Sequence, residues 1–223
     1  MWNRIKRWFG AKDNPQGSSD GRAEYEFKWY DPGEDNPFPV RILDVRGLTW
    51  TVIATTSDAK IAESFNNQRQ SDGRENIDAD IENSQTVSCE LVFPHNGDEL
   101  EGIVYKSDSM DVKWDIYIYN SIFFFVRSWT GKLQYRAFAE ITDTEIRINK
   151  IETSANHVET APQAVYFILG THALGNVLPH TIPRDMPDDP QEIGLLSFSM
   201  YGNLGCYATF EDITQIKIPR PEP

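Results

Sequence analysis

The sequence predicts an α+β fold: a mainly antiparallel sheet built around a β-meander at about residues 112–152, with two principal helices at about 58–70 and 161–175. Three observations carry this reading. VKWDIYIY, IFFFVRSW and LQYRAFA are consecutive β-rich runs, separated only by Asn120-Ser121 and Thr130-Gly131. Two other segments combine helix-start residues with apolar positions spaced three and four apart. Strands and helices do not alternate as they do in a doubly wound fold, and no repeat of 20–50 residues is present.

Along the chain, Trp2, Ile5, Trp8 and Phe9 form one apolar face if helical. Arg4, Lys6, Arg7 and Lys12 give residues 1–12 a charge of +4, which leaves −17 on the remainder of the −13 total. Such a segment suits an anionic membrane surface or a docking partner. Residues 13–21, DNPQGSSDG, read as a flexible linker. The remainder divides into a single α+β domain at 22–218 and a Pro-rich tail at 219–223.

Strands are expected at 24–30 and 49–54. Ser57 followed by Asp58 opens the first helix, with Ile61, Ala62 and Phe65 on its apolar stripe. Residues 72–111 hold 11 acids against two bases; the first acidic run reads as a solvated loop, followed by a strand near 86–93. If both meander hairpins are tight, Tyr119 lies opposite Ile122, Trp114 opposite Arg127 and Trp129 opposite Lys132. Counting then puts Tyr117, Phe124, Val126, Leu133 and Tyr135 on one face, and Trp114, Phe125, Arg127, Trp129, Arg136 and Phe138 on the other. Both faces are largely apolar, so both should be covered. EIRINKIE at 145–152 adds a fourth strand. Thr160 and Gln163 have capping-box spacing before the second helix, and Pro162 suits its first turn. That helix is apolar nearly all round, as in a buried helix or a homodimer contact through 161–175. A proline-punctuated loop at 177–192 precedes two more strands, LLSFSMY and CYATF, forming a terminal hairpin, with a third possible in TQIKI.

Several chemistries lack their residues. There is no CxxC, HExxH or GxGxxG. Gly170 to Gly175 has the outer spacing of a phosphate loop, but Asn176 stands where the lysine must be. Asp78, Asp80 and Glu82 alternate as in a calcium loop, yet Asn83 and Cys89 occupy the positions that need glycine and glutamate. No cofactor is expected. Cys89 and Cys206 read as two buried thiols, with a single bridge left open for an exported protein. The start of the chain lacks the apolar core of a secretory signal, which suits a cytoplasmic location. No apolar run reaches the roughly 18 residues of a membrane span. The net charge of −13 argues against sequence-independent nucleic-acid binding.

Two clusters remain as candidate sites. His172, His180, Asp185, Asp188 and the neighbouring Asp189 lie close in sequence, and two imidazoles with a carboxylate can hold a divalent metal or act as an acid–base pair. Trp114, Arg127, Trp129 and Arg136 share a face in the expected register, where guanidinium groups between indoles could offer a fork to an anion. The leading functional expectation is a non-enzymatic protein-interaction module for a basic partner, such as an inhibitor or immunity-type protein. The alternatives are a hydrolase or metal-dependent enzyme using His172, His180 and Asp185 or Asp188, and a peripheral membrane protein using residues 2–9.

Overall fold

The structure, a computed structural model, describes residues 26–218. The basic segment at 2–9, the linker at 13–21 and the tail at 219–223 lie outside the described residues. The fold is α+β, as expected. Its larger sheet contains β3 (Ser84–Pro94), β4 (Gly102–Tyr105), β5 (Trp114–Tyr119), β6 (Ile122–Arg127), β7 (Leu133–Ile141) and β8 (Glu145–Ser154). Their order is β3-β8-β7-β6-β5-β4, and every pairing is antiparallel. A smaller sheet joins β1 (Lys28–Tyr30), β2 (Ile42–Asp44), β9 (Pro179–Thr181) and β10 (Tyr207–Thr209) in the order β1-β2-β10-β9. The helices are α1 (Arg46–Thr49), α2 (Ala59–Gln70), α3 (Ala161–Ile168) and α4 (Pro190–Tyr201).

The β5–β6 hairpin has the register that counting gives, from Trp114↔Arg127 to Tyr119↔Ile122. Asn120 and Ser121 take φ values of 53° and 60°, the double left-handed turn that matches strand twist. The next hairpin departs from expectation. Arg127 N donates to Lys132 O at 2.9 Å, so four residues make the turn rather than Thr130-Gly131 alone. Val126 then faces Leu133, but Phe125 faces Tyr135, and the extra residue, Gln134, is a bulge. The bulge turns Tyr135 onto the Trp114 face and Arg136 onto the opposite one. Trp114, Ile116, Ile118, Phe123, Phe125 and Tyr135 pack with α3 in the main core. Tyr117, Tyr119, Phe124, Val126 and Leu133 pack under Ile77, Ala79 and Ile81. Both sheet faces are thus covered. The close approach of this cover requires Gly73 (φ 86°), because a Cβ there would lie 2.3 Å from the Tyr117 ring.

Other local expectations change in instructive ways. Asp58, rather than Ser57, caps α2, accepting from Lys60 N at 2.8 Å. Residues 49–54 form no strand: Thr49 closes α1, and Ala54 N donates to Asp111 Oδ1 at 2.6 Å. LLSFSMY is the latter part of α4, not a strand. Asp189 caps that helix by accepting from Gln191 N and Glu192 N, and Pro190 supplies a preset first residue. Burial of Ile193, Ser197 and Tyr201, four residues apart, then selects the helical period over the strand period. The terminal hairpin is absent too. β10 pairs antiparallel with β2 and parallel with β9, and TQIKI is a turn region whose Ile216 enters the core.

At α3, Thr160 makes no side-chain cap to the helix; its hydroxyl donates to His157 O at 3.4 Å, so the capping box does not form. The chain itself covers the apolar circumference of the helix, with Ala164 to Ile168 all buried. The helix runs on into a π turn, Leu169–Ala173, in which Leu174 N donates to Leu169 O at 3.2 Å. Gly170 leaves room there for Leu178, whose Cδ1 would lie 2.6 Å from a Cβ. Gly175 (φ 65°) ends the segment.

Candidate functional site

The histidine–aspartate cluster does not assemble. His172, on the π turn, meets the Tyr105 ring edge-on at 5.1 Å between centroids. Its Nδ1 lies 2.8 Å from Thr171 Oγ1, whose own proton goes to Phe167 O at 2.8 Å; Nδ1–H is therefore the donor and Nε2 carries a lone pair. That Nε2 is buried without a hydrogen-bond partner among the described residues. Burial pushes the His172 pKa down to about 3. His180, on β9, lies between the rings of Phe167 and Tyr201, with centroids at 5.6 and 4.8 Å. Its Nε2 is 2.8 Å from Ser197 Oγ, and burial pushes its pKa down to about 4. Both rings are neutral at physiological pH. Asp185 and Asp188 are exposed in the loop, and Asp189 is occupied in capping α4. Among the described residues, no three His, Cys, Asp or Glu side chains converge as a metal site would need.

Sequence reasoning missed Ser197, because it lies in the run read as a strand. Ser197 and His180 have the separation of a nucleophile and its base. Their relative exposures are 0% and 1%, so the pair is sealed from any substrate and works as an internal strut between β9 and α4. A helical reading of 190–201 was the signal that could have found it.

The aromatic–arginine cluster forms in part. The Arg127 guanidinium carbon lies 4.7 Å above the Trp114 ring. Its Nη1 donates to Met200 O at 3.0 Å and its Nη2 to Ser199 O at 2.9 Å, while Trp114 Nε1 donates to Met200 O at 2.7 Å. The fork expected to bind an anion therefore grips the negative end of α4. Trp129 Nε1 donates to Met110 O, and Lys113 Nζ sits between the rings of Trp129 and Phe198 at 4.3 and 4.5 Å. Burial, helped by Arg127, lowers the Lys113 pKa to about 8. Arg136 does not join this group, because the bulge at Gln134 places it on the other face. There it pairs with Glu152 at 2.7 Å and donates to Ala79 O at 2.6 Å. Trp2, Ile5, Trp8 and Phe9 lie outside the described residues.

The surface of the described residues includes two cavities. One, of about 330 Å³, is polar and lies between residues 81–83, 132–134 and 154–157, with Lys132 and His157 in its wall. The other, of about 350 Å³, is a groove on the α3 side of the large sheet. Phe93, Val104, Ile118 and Phe123 line it from the strands, and Leu169, Ala173 and Leu174 line it from the π turn and its exit. The loop from β3 to β4 forms the rim. Gly97 (φ 84°) turns that loop, and it places the exposed carboxylates Glu99 and Glu101 beside Ile103, which is 54% exposed. The groove thus combines an apolar floor with an acidic edge, and the widened π turn supplies part of its wall. Its residues were not legible as a site in the sequence, because β4 itself was not recognised among the acidic residues around it. Comparison of the chain with protein-family models, with curated proteins and with solved structures gives no match.

Proposed function

We propose that this protein is a non-catalytic binding module whose partner is a protein presenting a positively charged, apolar segment. The observation that carries this reading is the groove between the β3–β4 loop and the π turn, with Glu99 and Glu101 at its edge and Ile103 exposed beside it. Apolar side chains entering the groove supply affinity, and rim carboxylates select cationic neighbours. The net charge of −13 steers such a partner at long range and makes association fall as salt rises. An inhibitor or immunity-type protein that neutralises a basic target is one form of this function. A cytoplasmic location accords with it.

The test is affinity capture on the tagged full chain at low and high salt, in parallel with a Glu99→Lys/Glu101→Lys/Ile103→Asp variant. A stoichiometric basic partner, retained by the wild type at low salt and lost by the variant, is the expected result. The same partners on both proteins, or none on either, would reject the groove as the binding surface.

A further inference from the structure

We infer that residues 2–9 of this same chain occupy the groove as an internal pseudo-ligand, which an outside partner must displace. This rests on the reading of the groove as a binding site. The segment carries what the groove selects: Trp2, Ile5, Trp8 and Phe9 at helical spacing, interleaved with Arg4, Lys6 and Arg7. The floor is apolar, and the rim sets Glu99 and Glu101 against those cations. The polar cavity is a poorer match, because Ile81, Leu133 and Ala155 are its only apolar side chains and its wall sets Lys132 beside Glu82. Ile103 at the rim is left open by the described residues, and Leu100, Val104 and Leu174 are only partly buried.

The tether reaches most of the surface. Sixteen residues separate Phe9 from Glu26, where the described chain begins. Extended, they span roughly 55 Å. A globule of this size has a radius of gyration of roughly 16 Å, hence a diameter of roughly 43 Å and a path of roughly 67 Å around to the far pole, so the tether reaches all of the surface except the region opposite Glu26. Attachment on one chain raises the local concentration of the segment to about 1 mM, so even a groove that binds the free segment at about 50 μM is about 95% filled. A competitor then binds about 20-fold more weakly than it would to an empty groove.

The experiment uses a fluorescein-labelled synthetic peptide of residues 1–12 and the full chain in three forms: wild type, Trp2→Ser/Trp8→Ser, and that variant with Glu99→Lys/Glu101→Lys added. Far-UV circular dichroism and urea midpoints verify that all three are folded. The expected result is peptide binding to the tryptophan variant about 20-fold tighter than to the wild type, and loss of binding when the rim charges are reversed. Equal affinity for wild type and tryptophan variant overturns self-docking, yet leaves the groove as a binding site if charge reversal still abolishes binding. No binding to any form also overturns it, and the groove is then judged by affinity capture alone. Sedimentation velocity from 5 to 200 μM should show monomer; a dimer dissolved by the tryptophan variant would overturn docking within one chain in favour of exchange between copies. Tryptophan-dependent co-sedimentation of the wild type with phosphatidylserine vesicles, without peptide binding to any form, would assign the segment to the membrane instead.

Discussion

Acidification should destabilise this protein through His172 and His180. In the folded state burial holds their pKa values at about 3 and about 4, against about 6.5 for an unfolded histidine. A folded pKa below the unfolded value means that the unfolded chain takes up protons first. Stability is therefore complete above about pH 6.5 and falls as the pH drops toward the folded values. Each ring contributes a slope of about 1.4 kcal/mol per pH unit in that window. Between pH 7.5 and 5.0 the loss is about 2 kcal/mol per histidine and about 4 kcal/mol for both. That figure hardly depends on the folded pKa values once they lie below 5. It is a large fraction of a typical domain stability of about 5–15 kcal/mol. His157, held down by partial burial and by Lys132, adds a loss of the same sign. The assay is urea unfolding followed by tryptophan fluorescence at pH 7.5, 6.5, 5.5 and 5.0. Replacing His180 by Gln, which can still hydrogen-bond to Ser197, should remove about half of the pH-dependent loss, whatever its effect at pH 7.5. A stability that changes by less than about 1 kcal/mol over this range would refute the burial of neutral rings argued from the Tyr105 and Phe167–Tyr201 contacts.

Arg127→Met should cost about 2–4 kcal/mol in urea unfolding, because the last carbonyls of α4 lose two charge-assisted donors; an unchanged midpoint would mean that water serves the helix end equally well. Gly202→Ala should cost about 3 kcal/mol or more, or prevent folding, since a Cβ there would lie 1.7 Å from Asp111 O in a backbone with φ 64°. A well-folded Gly202→Ala protein of normal stability would show that the Asp111 loop is not seated against α4. Burial pushes the thiols of Cys89 and Cys206 up to about 11, leaving about one in 3,000 ionised at pH 7.5. Ellman's reagent should therefore titrate both slowly in the native protein and both rapidly in denaturant; fast native labelling of Cys206 would contradict its burial.

Much of the large sheet was readable because local chemistry and global position agree there. Asn120-Ser121 adopts the left-handed pair that a two-residue turn demands, so counting outward placed Trp114 opposite Arg127 correctly. The following hairpin was not readable, since Trp129-Thr130-Gly131 admits turns of two lengths and nothing in LQYRAFA announces a bulge at Gln134. That one residue separated Arg136 from Trp114 and dissolved half of a candidate site. In α4, alternation in LLSFSMY resembled a strand, while the stronger indication was Asp189-Pro190 one turn upstream. The three-residue strands β1, β2, β9 and β10 carry too few side chains to reveal their partners, which lie far away in sequence. The histidines stood out for their chemistry, but burial decided their surroundings, and burial depends on the tertiary arrangement. The groove is the converse case: none of its residues is chemically unusual, and only their convergence creates it.

The small sheet imposes an order on synthesis. β2 lies between β1 and β10, and Leu43 pairs with Ala208, 165 residues later in the chain. At a ribosome speed of about 5–20 residues per second, that interval lasts about 8–33 s. Throughout it, Ile42 and Leu43, both fully buried in the finished protein, have an open edge and no C-terminal cover. The large sheet, whose β5 to β8 are joined by short turns, can close meanwhile. A nascent chain stalled before Tyr207 should therefore carry a formed meander beside an exposed aliphatic strand, the kind of surface that holdase chaperones recognise. In this protein β2 is safe only once β10, made 165 residues after Leu43, has paired with it.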